Sequence, residues 1–331
     1  MTKPRLRWGI LSTAKIAREK LIPAIIASEH NELVAIASRT HEQAASVAAE
    51  LAIPHVFGDY QHMLESDLID IVYNPLPNHL HVPWAVHALE AGKHVLCEKP
   101  IGLNVEDTNT LMVAAQQRPD LKVMEAFMYR FHPQWAKARE LLQGGKIGEI
   151  NSIEAVFSYF NRDPKNVRNM PGIGGGGLLD IGCYCISAAR YLLDREPSRV
   201  LGTLQMDNDF QVDRHAHGLL DFGDVQASFY CSTQSEPSQR VYVSGEHGSL
   251  LMEAPFYQPD NAMATLVFNH NREVELIQTE ACDHYVKQID ALANAIHRNL
   301  PTPTPLSDAL SNMRVIDGIF ASDLAREWVS I

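Results

Sequence analysis

The first regular structure in this sequence comes from the segment Leu6-Arg7-Trp8-Gly9-Ile10-Leu11-Ser12-Thr13-Ala14-Lys15-Ile16-Ala17. A short apolar run predicts a buried strand, and it passes through small residues into a helical pattern. Such a turn leaves backbone N–H groups at a helix N-terminus, where the pyrophosphate of a dinucleotide can bind. Ser12, Ala14 and Ala17 stand where the Gly-x-Gly-x-x-Gly pattern has glycine. The pattern is therefore degenerate, and a plain turn of small residues remains the alternative.

Further short apolar runs alternate with helical patterns over about the first 120 residues. This alternation predicts consecutive β-α-β units and a doubly wound parallel sheet of the Rossmann type, in the α/β class. The predicted strands are 6–11, 33–37, 55–57, 69–74, 94–98 and 122–128.

After residue 123 the pattern changes to longer alternating segments with few helices between them, which predicts an α+β domain with a large, open, mainly antiparallel sheet. The predicted strands are 150–159, 199–206, 214–222, 225–231, 240–244, 249–252, 265–269 and 273–277, and the predicted helices are 133–143, 178–193, 284–298 and 307–328. A chain of 331 residues exceeds the roughly 250 at which a single core tends to split. We expect residues 1–123 to bind a dinucleotide and residues 124–331 to bind the substrate and to mediate oligomerisation.

The predicted second strand ends in Ser38-Arg39-Thr40, where an NAD enzyme commonly places an acidic side chain against the ribose 2′-hydroxyl. No Asp or Glu is present there. The planar guanidinium of Arg39 suits a 2′-phosphate, so the sequence predicts NADP, with NAD less favoured. The alternative is that Arg39 is a solvated loop cation.

Polar residues also follow the predicted fourth and fifth strands, and ligands of open α/β sheets bind outside such strand ends. A lysine at that rim, Lys99, can polarise a substrate oxygen or lower the pKa of a neighbour. His79 and His81 can instead cap the helix that follows. The candidate cofactor-binding residues are Gly9, Ser12, Thr13, Ala14, Lys15, Ile16, Ser38, Arg39, Thr40, Asn74, Pro75, Leu76, Asn78, His81, Glu98 and Lys99.

In the second domain a run of four glycines at 174–177 precedes a helical pattern that carries Asp180 and Tyr184. Their spacing of four residues predicts that both side chains leave one face of the helix. The glycines would let a substrate or cofactor approach the backbone closely. The structural alternative is an Asp stabilised by the helix dipole and a tyrosine packed in the core.

The overall composition excludes several classes of function. A net charge of -12 argues against a nucleic-acid partner, and no apolar run approaches the roughly 20 residues of a membrane span. Five cysteines without a Cys-x-x-Cys pair indicate neither a disulfide framework nor a zinc site, so no metal is expected. The N-terminal segment lacks the apolar core of a signal peptide, and we therefore expect a cytoplasmic protein.

These motifs together resemble those of the Gfo/Idh/MocA family of oxidoreductases over essentially the whole chain. The most specific is Gly-Lys-His-Val-x-x-Glu-Lys-Pro at 92–100, and the second is the glycine run leading to Asp180. The resemblance implies that Lys99, Asp180 and Tyr184 are catalytic. It also implies a Rossmann domain followed by an open-faced sheet that often serves in oligomerisation, so a homodimer or homotetramer is expected.

Many members of the family have histidine where this chain has Tyr184. This departure makes the chain similar to the branch of glucose-fructose oxidoreductase, dimeric dihydrodiol dehydrogenase and NADP-dependent D-xylose dehydrogenase. By the same likeness the active site could also involve His81, Arg130 and residues 283–285.

The resemblance favours NADP-dependent oxidation of the C1 hydroxyl of an aldopyranose to a lactone, or oxidation of a related vicinal diol. Tyr184 would take the hydroxyl proton, Lys99 would lower the pKa of that phenol, and Asp180 would orient the substrate or the lysine. One alternative is a reductase acting on a sugar ketone such as an anhydrofructose. Another is a sugar sensor that binds the dinucleotide without turnover.

Overall fold

The protein, described here by a computed structural model that covers residues 4–259 and 262–331, packs into two compact units. The first unit runs to Met128 and also takes in Asp283–Leu310. The second unit comprises Tyr129–Cys282 and Ser311–Ile331. Packing defines these units, whereas the division at residue 123 rests on the change of sequence pattern there, and that division stays a prediction.

The α-helices of the described residues are α1 (Ile22–Ala27), α2 (His41–Leu51), α3 (Tyr60–Glu65), α4 (His81–Glu90), α5 (Val105–Gln117), α6 (Pro133–Gln143), α7 (Cys183–Leu193), α8 (His284–Arg298) and α9 (Leu306–Ala325). Several begin at side-chain caps. Thr40 and Asn104 accept hydrogen bonds from the amides of Gln43 and Asp107 at the starts of α2 and α5. The chain leaves α4 through Gly92, whose φ of 78° suits glycine.

The first unit contains a parallel sheet whose strands are β1 (Leu6–Leu11), β2 (Asn31–Ala37), β3 (His55–Phe57), β4 (Ile71–Asn74), β5 (His94–Cys97) and β6 (Val123–Glu125). Their order across the sheet is β3-β2-β1-β4-β5-β6, and each neighbouring pair is parallel. The predicted Rossmann sheet is thereby confirmed. The order reverses between β1 and β4, and this switch point is where such folds bind their ligands.

Helix α8 belongs to the first unit although it comes late in the sequence. Its Asp290 accepts hydrogen bonds from Ser28 Oγ at 2.5 Å and from Asn31 Nδ2 at 3.1 Å. Asn31 in turn accepts from the indole N–H of Trp8 in β1. A partly buried chain of hydrogen bonds therefore connects α8 to the first two strands.

The second unit contains a nine-stranded sheet formed by β7 (Ile150–Phe160), β8 (Arg199–Met206), β9 (Asp213–Asp221), β10 (Gln226–Ser232), β11 (Gln234–Gly245), β12 (Gly248–Met252), β13 (Thr265–His270), β14 (Glu273–Gln278) and β15 (Val329–Ser330). The order is β14-β13-β12-β11-β7-β10-β9-β8-β15, with β10 parallel to β7 and the other pairs antiparallel. The predicted mainly antiparallel sheet is confirmed.

The two faces of this sheet differ in burial. Directly opposed residues form a row across eight strands on one face: Leu201, Leu219, Ser228, Glu154, Tyr242, Leu251, Val267 and Leu276. Leu219 is 40% exposed and Leu276 65% exposed. The opposite face buries side chains such as Phe157 and Val241, and α7 packs on that side through β7 and β10.

Element bounds differ from the sequence-based ones at several places, and the predicted strand 122–128 is shortened to Val123–Glu125. The predicted helix 178–193 is a π-helical turn at Leu178–Gly182 followed by α7. The predicted helix 307–328 ends at Ala325, and β15 follows it. Strand β11 begins six residues earlier than predicted, because its pairing with β7 continues past an irregularity between Gln234 and Ser238 that accommodates Pro237. In the described residues no helix is long and apolar enough for a membrane crossing.

Candidate active site

The turn after β1 is shaped by Ser12, whose φ of 78° lies in the region that glycine usually occupies. Its N–H donates to the carbonyl of Ala37 at 2.8 Å, and its Oγ accepts from the amide of Ala14 at 3.2 Å. A π-helical turn at Ala17–Leu21 follows. Among the described residues, nothing accepts a hydrogen bond from the amides of Thr13 and Lys15. These amides suit an anion, as the sequence predicted for a pyrophosphate.

Gly9 has a packing reason to be glycine. A Cβ at this position would lie 2.7 Å from Ile69 Cδ1 and 3.1 Å from Met63 Cε. Its role in cofactor binding stays a prediction, since the close packing of β1 against these two side chains alone requires a glycine.

The three residues after β2 differ in what they do. Ser38 is buried, and its hydroxyl donates to Gln43 Oε1 at 3.0 Å. Thr40 caps α2. Arg39 is exposed, and of the three it carries the charge that could meet a 2′-phosphate.

His81, the first residue of α4, connects the segments that follow β4 and β5. Its ring nitrogens lie 2.7 Å from the carbonyl oxygens of Leu76 and of Pro100. Burial lowers the pKa of His81 to about 4, against the opposing effect of these two carbonyls. Asn74 is also buried, and its Nδ2 donates to the carbonyl of His81 at 2.9 Å. The polar groups of His81 and Asn74 thus hold these two strand ends together.

Lys99 follows β5 and is 9% exposed. Its backbone amide donates to Glu98 Oε2 at 3.3 Å, while Glu98 Oε1 accepts from the hydroxyl of Tyr73 at 2.7 Å. The next peptide bond, Lys99–Pro100, is cis. The first unit therefore gathers Ser12, Arg39, Asn74 and Lys99 at the carboxyl edge of its sheet, because they follow neighbouring parallel strands.

In the second unit Asp180 is held by two donors. Tyr159 donates its hydroxyl to Oδ2 at 2.5 Å, and Arg168 Nε lies 2.8 Å from Oδ1. Burial, together with the Asp180 carboxylate, raises the pKa of the Tyr159 phenol above its usual range, so Tyr159 remains a donor. The Asp180 carboxylate also raises the pKa of Arg168, which stays cationic. These two contacts fix the orientation of the carboxylate.

The glycine segment, Gly174–Gly177, precedes the π-helical turn that carries Asp180. A Cβ on Gly175 would lie 2.5 Å from the carbonyl oxygen of Met170, and one on Gly176 would lie 2.0 Å from Asp213 Oδ1. Gly176 has a φ of 110°. The close approach that the sequence assigned to a substrate or cofactor is therefore made here, at Gly175 and Gly176, by groups of the protein itself.

Tyr184 lies in the first turn of α7 and is 2% exposed. Its ring centroid is 5.7 Å from Tyr129, 5.5 Å from Phe157 and 5.4 Å from Phe256. This aromatic packing fixes the position of the ring. The widened turn between Asp180 and Tyr184 is of a kind found frequently at functional sites.

Two further segments implied by the resemblance have clear contacts. Arg130 Nη2 donates to Ser187 Oγ at 2.6 Å, and its guanidinium lies 4.9 Å from the ring centroid of Tyr191. Asp283 caps α8 by accepting from the amide of Tyr285 at 2.8 Å. Arg130 thus belongs to the second unit, and Asp283–Tyr285 to the first.

Sequence reasoning missed Tyr159, Arg168 and Asp213. Asp213 begins β9 and is 3% exposed, but it stands just before the predicted strand 214–222, so nothing in the sequence signalled that this carboxylate is buried. Tyr159 and Arg168 gave no signal, since each is an ordinary residue type for a strand or a loop.

Comparison with known proteins gives matches along most of the chain. Residues 6–127 match the model of the oxidoreductase family with an NAD-binding Rossmann fold, and residues 135–251 match the GFO/IDH/MocA C-terminal domain. An uncharacterised oxidoreductase of Rhizobium meliloti is 37% identical over 98% of this chain and 99% of its own. D-xylose 1-dehydrogenase (NADP(+)) 2 of Haloferax volcanii is 35% identical over 96% and 97%, respectively.

Among solved structures, one match is a 3-ketoreductase of Actinomadura kijaniata in complex with NADP and TDP-benzene. It is 31% identical to this chain, with a TM-score of 0.91, and the alignment covers 96% of this chain and 98% of the other.

Proposed function

This chain belongs to the GFO/IDH/MocA family of oxidoreductases, and we propose that it transfers hydride between NADP and the C1 carbon of an aldopyranose. The product of the oxidation would be a lactone. The proposal rests mainly on the geometry where the π-helical turn Leu178–Gly182 leads into α7. There Asp180 is held by two donors, and Tyr184 follows with its ring packed among aromatic side chains. The similarity to D-xylose 1-dehydrogenase (NADP(+)) 2 supports the choice of substrate.

The residues of the first unit fit NADP. The amides of Thr13 and Lys15 would receive the pyrophosphate, and Arg39 the 2′-phosphate. His81 and Asn74 would act by holding the strand ends in place, since their polar atoms are bonded inside the protein. The bound dinucleotide supplies or accepts the hydride.

Arg39→Ala tests the cofactor assignment. The lost charge-assisted contact is worth about 1.5 to 3 kcal/mol, so the preference for NADP over NAD should fall by about tenfold to a hundredfold. Catalytic efficiency with each cofactor is the measurement. Equal efficiencies in the unmutated enzyme would contradict the assignment.

We assign the proton transfer to Tyr184. The C1 hydroxyl gives its proton to the phenolate form of Tyr184 as C1 gives its hydride to the oxidised cofactor, so the lactone carbonyl forms. As the family resemblance implies, the ammonium of Lys99 would favour that phenolate electrostatically. Asp180 is kept in one orientation by Tyr159 and Arg168. In the proposed mechanism it would orient the sugar or the lysine, as the resemblance implies.

Tyr184→Phe separates this mechanism from a purely structural role. Loss of the hydroxyl should lower turnover by roughly 10²-fold to 10⁴-fold, while the NADP dissociation constant stays the same. A core tyrosine without a chemical role would instead lose about 1 kcal/mol of stability and keep its turnover. Turnover on a panel of aldoses, NADP affinity and melting temperature should be measured together.

Lys99→Met is the partner variant. Its turnover should fall at least as far, and the remaining activity should have its pH optimum shifted upward, because the phenol loses its neighbouring cation. If both residues serve one step, the double variant should be little worse than either single variant. Fully additive losses would contradict a shared step.

A second candidate is reduction of a sugar ketone, which the same residues could perform. The similarity to a 3-ketoreductase supports it. Activity with reduced NADP and ketosugars, but none with NADP and aldoses, would favour this direction. A dinucleotide-binding sensor would show binding without turnover, and the presence of Lys99, Asp180 and Tyr184 argues against it.

We also propose that the exposed row of the nine-stranded sheet meets a second copy of the chain, in a homodimer or homotetramer. The row places Leu219 and Leu276 on a broad face. Exposed apolar side chains on such a face are typical of an association surface. Light scattering at micromolar concentration that gives a monomer mass would remove this proposal.

A further inference from the structure

We propose that Asp213 is a positioning residue for the helix that carries Asp180 and Tyr184. The inference rests on the proposed function for its catalytic consequence, and on the geometry of the second unit for the anchor itself. Asp213 does not belong to the proton-transfer set, because it touches the backbone of the helix start.

The anchor consists of one carboxylate and the first amides of the helix. Asp213 Oδ2 accepts from the amide of Leu178 at 2.7 Å, and the amide of Gly177 also favours the anion. Gly176 leaves room for Oδ1, where a side chain would collide. A carboxylate at a helix N-terminus is stabilised by the unpaired N–H groups there.

The remainder of the glycine segment is fixed as well. The amide of Gly176 donates to the carbonyl of Arg168 at 2.9 Å, and the side chain of Arg168 binds Asp180. The backbone before the helix and a carboxylate within it are thus tied to the same residue. Displacement of the Leu178 amide from Asp213 would therefore be transmitted to Asp180.

Asp213 is buried without a cation. Within the described residues no Lys, Arg or His makes an ion pair with it. The ionisable groups near it are Asp180 in the π-helical turn, which raises the pKa of Asp213, and Cys231 on β10, whose thiol pKa is raised in part by Asp213. Burial raises the pKa of Asp213 to about 7, with a further increase from Asp180, although the backbone amides of Leu178, Gly177 and Asp213 itself act in the opposite direction.

Ionisation of Asp213 makes the stability of the folded protein depend on pH. The unfolded pKa is about 3.9 and the folded one lies near 7, so the folded protein holds the proton more tightly. The stability that this group contributes is complete below the unfolded pKa and is lost as the pH rises to 7. The ionised form, however, makes the stronger hydrogen bonds to the helix amides. Ionisation thus lowers global stability while it tightens the anchor.

The test compares the unmutated protein with Asp213→Asn. Between pH 5 and 8 the melting temperature of the unmutated protein should fall by roughly 3 to 6 °C relative to the variant. Hydrogen exchange at residues 177–180, corrected for the intrinsic pH effect, should become slower in the unmutated protein from pH 6 to 8 and should not do so in the variant. Turnover of the variant at pH 8 should be about tenfold lower, with NADP affinity unchanged.

Asp207→Asn is the matched control. Asp207 is also buried in the second unit, but hydrogen bonds from Gln234 and from the amides of Phe210 and Asp209 overcome burial and hold its pKa below the usual range. Its variant should leave the exchange at 177–180 and the turnover unchanged.

Two outcomes would overturn the proposal. One is an Asp213→Asn variant whose exchange at 177–180 and melting temperature follow pH as in the unmutated protein. The other is unmutated protein whose exchange at 177–180 ignores pH between 6 and 8, a measurement that needs no variant to fold. Absence of turnover with every sugar would contradict the proposed function and leave the exchange and melting results decisive for Asp213.

Discussion

The two units each contain a loop of small residues that runs into a five-residue π-helical turn, and the two loops differ in what occupies their amides. After Ser12 the amides of Thr13 and Lys15 have no acceptor among the described residues. After the glycine segment, the amide of Leu178 is already bonded to Asp213. A helix start with available amides can receive an external anion, whereas one that is closed by an internal carboxylate can only hold its own side chains in place. Loops of small residues thus leave backbone amides available in one unit and have a backbone amide bonded to an internal carboxylate in the other.

The largest effect that this comparison predicts is that of Gly176→Ala. The new methyl group would overlap Asp213, and the alanine would have to adopt a φ that suits glycine. The free energy of unfolding should therefore fall by about 2 to 6 kcal/mol. Gly172→Ala is the control, because Gly172 also has a positive φ but has open space around it. Chemical denaturation of both variants measures the difference. Equal losses would mean that Asp213 gives way at no cost.

Thr13→Asp should give the loop after β1 an internal carboxylate near its amides, as Asp213 provides for the glycine segment. An acidic side chain beside the vacant amides would repel a pyrophosphate, and the NADP dissociation constant should rise by about 100-fold. The free protein should gain about 0.3 to 1 kcal/mol from a favourable helix-dipole contact. Thr13→Asn, which lacks the charge, should change the affinity far less. Titration calorimetry and melting curves on both variants would show whether affinity and stability move in opposite directions.

The smallest effect should come from Ser12→Gly. Relief of the positive φ is offset by loss of the hydrogen bond to Ala14 and by the greater freedom of glycine in the unfolded chain, so stability should stay within about 0.5 kcal/mol. The NADP affinity should also be retained. A large loss of affinity would show that the Ser12 hydroxyl itself contacts the phosphates.

The fold could be predicted to this extent because its main signals are local. Each of the six predicted strands of the first sheet is present, since short apolar runs between helical patterns leave few alternatives to a parallel sheet. The position of the candidate residues at the carboxyl edge of the sheet followed from that prediction, because most of them come at or just after the end of a strand. Thus Ser12, Arg39 and Lys99 lie where strand ends place them, even without an alignment.

The second unit's site depended on contacts that sequence spacing does not contain. Tyr159, Arg168 and Asp213 reach the helix start from β7, from a loop and from β9, and their pairing depends on strand order. The four glycines at 174–177 predicted that some group comes close to the backbone, but they did not identify that group. The roles of Lys99, Asp180 and Tyr184 came from a family resemblance, and they remain proposals.

The position of α8 has a consequence for the order in which the protein is made. Asp290 of α8 satisfies Ser28 and Asn31, and Ile289 and Leu292 of the same helix are buried. During translation, nearly all of the second unit is therefore synthesised before the first unit has all of its residues. Domains generally fold from the N-terminus onward during synthesis, but here the N-terminal Rossmann sheet has to wait for a helix made much later. Until α8 has been synthesised, the apolar surface of the first unit that Ile289 and Leu292 cover in the folded protein remains exposed to solvent.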